Sequence, residues 1–198
     1  FGTYTKNTNE VISLYSGVDQ LVIGGFSGMA IVAQVGQPYG AFYATDLMTD
    51  PSGNVVVDPN SGLPRLSTNP VYKGSYQPDY IASFGTNISY KGWTLNVLFD
   101  MKQGGKYYSR NKDLMDFVGT SLETAYNNRE DYVWAGSVVE NPDGTFSPNT
   151  TPFHPYDYYT SVIPSGQHLI DASYVKLREV AIGYNFPSKW LAKTPFGS

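Results

Sequence analysis

The sequence predicts an all-β fold in which antiparallel strands long enough to cross a bilayer are joined by long loops. Two stretches, 80–102 and 172–186, alternate apolar and polar residues with the period of two that marks a strand. Only 15% of the residues are charged, and aromatic residues make up a further 15%. Two other stretches, 50–78 and 104–169, are rich in turn residues and show little periodicity. Loops of that length are rare in compact soluble domains and usual on the rim of a membrane barrel. We therefore expect part of a large transmembrane β-barrel with long extracellular loops.

The composition excludes several classes of protein. The 198 residues include no cysteine, which rules out a disulfide framework, an iron–sulfur cluster and a cysteine metal site. The 13 basic and 17 acidic residues give a formal net charge of -4, which argues against a nucleic-acid-binding surface. The sequence has no run of 18 apolar residues and so encodes no membrane-spanning helix. These counts leave a β-rich chain that does not bind nucleic acid.

The strongest pattern predicts a β-hairpin over 80–102. Its second arm alternates apolar and polar residues from Trp93 onward, and its first arm, which starts at Tyr80, alternates in the same way. Lys91 and Gly92 lie between the arms and suit a tight turn. Each arm has about ten residues, the length that a tilted strand needs to cross a bilayer.

A further long strand is predicted over 172–186, with an irregularity in its middle. In a regular strand, Val175 and Leu177 would point to one face and the apolar residues of the C-terminal half to the other. A bulge near Arg178 would account for this change of phase, as would a strand that leaves the membrane and packs differently. Pro187 cannot donate to a strand ladder, so we expect it to end the strand.

Weaker strand patterns and loops fill the rest of the chain. Short strands are predicted over 1–6, 11–14, 21–23, 30–35 and Ala41–Ala44. The whole chain is interpreted as one partial barrel over 1–198, with strands near 1–14, 21–44, 80–102 and 172–186 and long loops over 50–78 and 104–169.

The second long loop holds the candidate ligand-binding residues. Tyr, Trp and Phe residues crowd into it, and rigid amphipathic rings suit the binding of sugars, peptides or another protein. An equally good interpretation is that these rings pack the loop against itself or against a neighbouring loop. The candidate substrate-binding residues are Tyr107, Tyr108, Tyr132, Trp134, Tyr156 and Tyr158.

The sequence predicts no catalytic or metal site. The only histidines, His154 and His168, match no zinc spacing, and loop polarity explains both. Residues 50–58 resemble a calcium loop only faintly, because alternating acidic positions and a closing Glu are missing. Scattered carboxylates could serve glycoside hydrolysis, but the sequence places no two of them at the required separation. We expect a protein that is not an enzyme and that holds no cofactor.

Four segments of the chain carry a resemblance to a known family. They are the hairpin at 78–100 followed by Gln-Gly-Gly, the run at 171–187 that contains Ala-Ser-Tyr-Val-Lys-Leu-Arg-Glu, Thr-Lys-Asn-Thr-Asn-Glu-Val at 5–11, and Val-Gly-Gln-Pro-Tyr-Gly at 35–40. Taken in the order in which they occur along the chain, they resemble the SusC/RagA-type TonB-linked outer-membrane transporters of Bacteroidetes. The resemblance covers most of the chain, and the Ala-Ser-Tyr-Val-Lys-Leu-Arg-Glu run is its most specific element.

The resemblance implies a 22-stranded barrel with a plugged lumen. At roughly ten residues per strand plus turns and loops, this chain can supply only about five to seven strands. We therefore expect a fragment from the C-terminal third of the barrel, without the N-terminal plug, the segment that engages TonB, or the final strands.

The resemblance also implies active import across the bacterial outer membrane. The barrel and a SusD-like surface lipoprotein lid capture a glycan or a peptide, and TonB, energised from the inner membrane, then remodels the plug. The implied partners are thus the SusD-like lipoprotein, TonB through parts absent from this chain, outer-membrane lipid and a glycan or peptide substrate, with residues 104–169 as candidates for lid or substrate contact. The residues alone leave open a soluble carbohydrate-binding β-sandwich and, on loose carboxylates only, a glycosidase.

Overall fold

A computed structural model describes residues 1–26 and 28–192, which form mainly β-strands. The strands are β1 Gly2–Thr5, β2 Gln20–Phe26, β3 Met29–Gln34, β4 Ala41–Ala44, β5 Val56–Val57, β6 Val71–Ser75, β7 Tyr80–Tyr90, β8 Trp93–Gln103, β9 Lys106–Tyr108, β10 Val138–Glu140, β11 Phe146–Pro148, β12 Leu169–Asp171 and β13 Tyr174–Tyr184. The helices are α1 Arg110–Phe117, α2 Pro155–Asp157 and α3 Ser188–Leu191, with 3-10 turns at Glu123–Arg129 and Ser165–His168 and a π turn at Tyr158–Val162.

Antiparallel pairing dominates the sheets. Of the strands described, only β5 and β10 pair in parallel. The prediction of an all-β fold of antiparallel strands is confirmed, and the described residues do not by themselves close a barrel. Within the same residues, no helix is both long and apolar enough to cross a membrane.

The chain forms two compact units. The wall unit, as we call the first, consists of Phe1–Thr8, Gln77–Gly105 and the described residues from Ala172 onward. The second, the loop unit, consists of Asn9–Tyr76 and Lys106–Asp171. The loop unit thus joins two chain segments that residues 77–105 separate in the sequence.

The wall unit is a four-stranded sheet in the order β1-β7-β8-β13. Strands β7 and β8 pair along their full eleven residues, from Tyr80 opposite Gln103 to Tyr90 opposite Trp93. The turn residues Lys91 and Gly92 have φ angles of 45° and 87°, the positive values that a two-residue type I′ hairpin turn requires. The predicted hairpin and its turn are confirmed.

One face of the wall unit is apolar and exposed. Residues directly opposite each other in an antiparallel pair project to the same face, and the register places Phe84 opposite Phe99, and Phe99 opposite Leu177. This apolar face, as we call it, contains Ala82, Phe84, Ile88, Tyr90, Trp93, Leu95, Val97, Phe99, Met101, Val175, Leu177, Val180, Ile182 and Tyr184. Val175 and Ile182 are 69% and 70% exposed, so the face is not a buried core. A continuous patch of this kind marks a surface that meets lipid or another protein.

A β-bulge in β13 keeps this face continuous. The register of β13 against β8 shifts between Leu177 and Glu179, so that Arg178 is an extra residue with no partner opposite it. As a result, Leu177 before the bulge and Val180 after it lie on the same face, opposite Phe99 and Val97 of β8. The predicted bulge is confirmed, while β13 ends at Tyr184 and not at the predicted position beside Pro187.

The opposite face of the wall unit is polar, and its side chains form hydrogen bonds and ion pairs with one another. Asp100 accepts hydrogen bonds from Nε and Nη2 of Arg178, at 2.9 and 2.6 Å, and from the hydroxyl of Tyr174 at 3.2 Å. The ammonium of Lys176 lies 4.4 Å from the centre of the Tyr174 ring. The sheet is therefore amphipathic across its thickness, with paired charges behind the apolar face.

Aromatic residues mark both ends of the apolar face. At the turn end, the rings of Trp93 and Tyr184 are 4.7 Å apart, and Phe186 lies 5.1 Å from Tyr184. At the other end, the rings of Tyr4 and Tyr80 are 5.4 Å apart. An apolar band with an aromatic girdle at each end is the arrangement found on the outside of membrane barrels.

The loop unit has a small core of its own. Its main sheet has the order β2-β3-β4-β6, and a buried cluster of Met29, Phe42 and Ala44 packs against Ile31, Tyr108 and Leu169 from both chain segments. The stretches predicted as loops therefore contain paired strands and short helices. Val56 and Val57, for example, are completely buried because β5 pairs with the distant strand β10. The strand predicted over 11–14 is wrong, since Val11 makes only a single bridge, to Val35.

Candidate functional site

Three of the six candidate aromatic residues are packed together inside the loop unit. The ring of Tyr132 lies 4.6 Å from that of Phe153, and the ring of Trp134 lies 5.3 Å from that of Tyr158. Phe153 and Tyr158 are each 3% exposed, and the Tyr158 hydroxyl donates to Gln167 at 3.1 Å. The aromatic cluster, as we call this set, comprises Tyr126, Tyr132, Trp134, Phe153, Tyr158 and Tyr159. For these residues the packing interpretation describes the structure.

The other three candidates lie apart from one another. Tyr108 packs edge-on against Phe26 at 4.5 Å, whereas Tyr107 on β9 and Tyr156 on α2 are 50% and 66% exposed. The structure therefore does not gather the six candidates on one surface. Tyr108 lines a cavity beside Phe26, and Tyr156 lines the separate cavity described next.

This cavity lies where α1, the Glu123–Arg129 turn and α2 meet, and we call it the α1–α2 cavity. Its volume of about 340 Å³ is at the lower end of the range for small-molecule sites. Its wall is largely apolar and carries a few polar groups, as such sites usually do. The lining residues used below are Asp116, Phe117, Arg129, His154, Tyr156 and Tyr159.

An unusual turn presents Arg129 to the cavity. Asn127, Asn128 and Arg129 have φ angles of 50°, 54° and 64°, three left-handed residues in succession. Asparagine tolerates this conformation, but for arginine it is strained, and such strain often accompanies a functional site. Nη2 of Arg129 donates to the carbonyl of Gly119 at 2.9 Å, which holds the guanidinium at the cavity. The sequence analysis did not identify Arg129 as a site residue. The one available signal was the Asn-Asn pair before it, because asparagine tolerates the left-handed conformation of this turn.

His154 caps α2 beside the cavity. Its Nδ1 accepts a hydrogen bond from the backbone N–H of Tyr156 at 3.1 Å, and Pro155 occupies the first helical position. In the neutral imidazole the proton therefore lies on Nε2, which is a donor. The ring has a structural role as a cap and one polar group to offer to a ligand.

His168 is part of a buried ionic network, so the prediction that loop polarity explains it is wrong. His168 and Asp116 are each 1% exposed, with Nε2 3.0 Å from Oδ2. Nζ of Lys112 lies 3.2 Å from the same oxygen and 3.0 Å from Oε2 of Glu123. Oδ1 of Asp116 has no hydrogen-bond partner in the described part of the chain. The network ties α1 to the turn before β12, and its carboxylate Asp116 is also a wall residue of the cavity.

A second recess adjoins the aromatic cluster. It is lined by the rings of Tyr126, Tyr132, Trp134 and Tyr159 together with Leu122, which is 89% exposed. Tyr159 also lines the α1–α2 cavity. Among their described lining residues, the α1–α2 cavity carries an arginine and the recess beside the aromatic cluster does not.

The stretch considered for calcium is a self-contained turn. Asp50 accepts hydrogen bonds from the backbone and side-chain nitrogens of Asn54 and from the backbone N–H of Ser52, and the Asn54 side-chain bond is the main cause that lowers the pKa of Asp50. In residues 1–26 and 28–192, no three His, Asp or Glu side chains are grouped so that they could hold a metal ion.

Tyr132, in the aromatic cluster, loses its phenolic proton at a higher pH than an ordinary tyrosine. Burial, reinforced by the phenols of Tyr159 and Tyr126, raises the pKa of Tyr132 to about 12 from 10.0. Because the folded-state pKa is raised, the stability that comes from this group is present below pH 10 and is lost as the pH rises through 12. We expect the tyrosinate absorbance to include phenols that ionise near pH 12, and Tyr132→Phe to remove one of them. Complete ionisation of all tyrosines near pH 10 in the folded protein would contradict this prediction.

Comparison with known proteins gives one informative similarity. The chain is 25% identical to the TonB-dependent receptor P3 of Formosa agariphila over an alignment that is 215 positions long. The match covers 96% of this chain and 20% of that receptor, so the chain spans about a fifth of the length of this relative. No family model matches the chain.

Proposed function

We propose that the chain is a segment of the wall, with attached outer loops, of a bacterial outer-membrane transporter that is energised through TonB. The observation that carries this proposal is the exposed apolar face of three eleven-residue antiparallel strands, flanked by aromatic rings at both ends. The similarity to a TonB-dependent receptor over nearly the whole chain supports it independently and favours a transporter over an enzyme.

The dimensions of the strands suit a membrane. Eleven residues at roughly 3.3 Å each span about 36 Å, which a tilt of about 45° reduces to about 25 Å, the height of the apolar band of such barrels. The apolar face would then meet lipid, and the face with Asp100 and Arg178 would line the lumen. Short turns face the periplasm in these barrels, so Lys91 and Gly92 lie on that side and the two long connections lie outside.

The finer part of the proposal is that the transporter is of the SusC/RagA type. Its partners are then a SusD-like surface lipoprotein, TonB through other parts of the transporter, and outer-membrane lipid. The substrate is a glycan or a peptide, and the loop unit, with its α1–α2 cavity and exposed Tyr156, supplies surfaces to contact substrate or lid.

The exposure of the sheet disfavours a soluble β-sandwich. A sandwich buries one face of each sheet against another sheet, whereas Phe84 and Val180 are 62% and 55% exposed.

The α1–α2 cavity also disfavours a glycosidase, which needs two carboxylates, one on each side of the scissile bond. Among the described residues that line the cavity, the one carboxylate is Asp116, and it is already paired with Lys112.

A transport assay with the full-length protein tests the proposal. We expect the protein to fractionate with the outer membrane and cells that produce it to accumulate members of a panel of fluorescent oligosaccharides and peptides. Disruption of the TonB gene should abolish that accumulation, because TonB supplies the energy for import, while the amount of protein in the outer membrane stays the same. Recovery of the protein in the soluble fraction, or uptake that persists without TonB, would contradict the proposal.

A further inference from the structure

We infer that the α1–α2 cavity binds a saccharide that carries a carboxylate, an inference that rests on the proposed function and assigns a substrate class to it. The argument uses the rings that line the cavity, its charge balance and its hydrogen-bonding groups. Of the six aromatic residues that the sequence analysis names as candidates, Tyr156 is the one that lines this cavity.

The rings of the cavity suit a sugar. Phe117, Tyr156 and Tyr159 line it, and Tyr156 is exposed enough for its ring face to meet a ligand. The C–H faces of a pyranose pack on aromatic rings, and the volume of about 340 Å³ allows for a unit of that size.

The charge balance favours an anionic sugar. Arg129 and Asp116 are the charged side chains among the described lining residues, but they are not equivalent. The carboxylate of Asp116 lies 3.2 Å from Nζ of Lys112, which also pairs with Glu123, and 3.0 Å from Nε2 of His168. The guanidinium of Arg129 makes its hydrogen bond to a neutral carbonyl, that of Gly119, and keeps its full charge. The cavity therefore offers an anion one guanidinium that makes no ion pair with a described residue.

The hydrogen-bond donors of the cavity suit the carboxylate of a sugar. A guanidinium has five N–H donors, of which one is used by Gly119, so Arg129 can bind a carboxylate with two parallel bonds. His154, which lines the cavity, adds a donor at Nε2 of its neutral ring. A uronate offers a carboxylate, hydroxyls and an apolar ring face together.

Binding measured by calorimetry on the purified full-length protein in detergent tests the inference. The probes are tetrasaccharides of galacturonate, mannuronate and glucuronate, the methyl ester of each, and a tetraglutamate peptide. We expect at least one uronate to bind and its uncharged ester to bind roughly tenfold more weakly or worse, because the ester loses charge-assisted hydrogen bonds. Tetraglutamate should bind more weakly than the uronate, since it lacks the ring face.

Variants assign the binding to the cavity. Arg129→Gly is compatible with the φ of 64°, so it removes the guanidinium without loss of the turn, and we expect it to weaken uronate binding by roughly 10- to 100-fold. Tyr156→Ala should weaken uronate and ester alike, because it removes the ring contact. Arg65→Gln, which removes an arginine of the loop unit that pairs with Glu140 outside the cavity, is the matched control and should leave binding unchanged.

The outcomes separate this inference from the proposed function. Absence of binding by all three uronates, equal binding of the esters, or unchanged binding in Arg129→Gly would overturn the inference, and tighter binding of tetraglutamate would assign the cavity to peptides. The assay requires neither a membrane nor TonB. Uronate binding that depends on Arg129, in a protein whose transport assay fails, would uphold this inference and overturn only the proposed function.

Discussion

Deletion of Arg178 is expected to leave assembly of the protein in the outer membrane intact. Arg178 is the extra residue of the bulge that brings Val175 and Leu177 to the same face as Val180. Without it, β13 becomes a regular strand in which Leu177, Glu179 and Val180 follow one another, so strict alternation still places Leu177 and Val180 on the same face. The measurement is the amount of full-length protein that is extracted from outer membranes and migrates as the folded form in unheated gels.

The matched control for this deletion is Arg178→Gln. It keeps the residue count of the strand and removes the charge that pairs with Asp100. Exposed ion pairs contribute little to stability, so we expect Arg178→Gln to assemble nearly as well as the wild type. If the deletion variant assembles much less well than Arg178→Gln, the strand without its extra residue does not keep its apolar residues on one face, and the explanation of the bulge is wrong.

Val180→Lys is expected to destabilise the protein in a bilayer by about 2–4 kcal/mol, the cost of a lysine near the midplane on the lipid side of a barrel. Val180 lies about half-way along β13, opposite Val97 of β8, and is 55% exposed. In water, a lysine at such an exposed position would be nearly neutral, so the size of the effect reports lipid contact. Urea unfolding of the full-length protein in phospholipid vesicles measures it.

Ala181→Lys supplies the control for Val180→Lys. Ala181 is the adjacent residue, is also exposed, and lies opposite Asn96 on the polar face. We expect this lysine to have a much smaller effect, because a lumen-facing position remains solvated. Equal effects of the two lysines would mean that the two faces of the sheet meet the same environment and would contradict the proposed membrane wall.

The features predicted well from the sequence are those set by local periodicity. Strict alternation from Trp93 onward fixes which residues share a face, and the Lys91-Gly92 pair fixes where the chain reverses. The bulge was predictable for the same reason, because a change of apolar phase at Arg178 has few structural explanations.

The features missed depend on contacts between distant parts of the chain. Val56 and Val57 are buried by a partner strand about 80 positions away, and two residues are too few to show a period. The pair of His168 and Asp116 joins residues 52 positions apart, so no spacing rule applies to it. The position of Arg129 at the cavity follows from three left-handed residues, a conformation that sequence propensity rarely predicts for arginine.

The β7–β8 hairpin lies in the chain between the two segments of the loop unit. Folding of the loop unit therefore depends on folding of the hairpin. Before β7 and β8 pair, Tyr76 and Lys106 are the ends of a flexible connection of about thirty residues, whose closure has an entropic cost. Once Tyr80 and Gln103 are paired, the first segment of the loop unit ends, at Tyr76, only a few residues before this pair. The second segment begins, at Lys106, only a few residues after it. The loop unit and its cavity should therefore form readily only after the hairpin has formed, so that a chain which fails to insert its hairpin would also fail to present a binding surface.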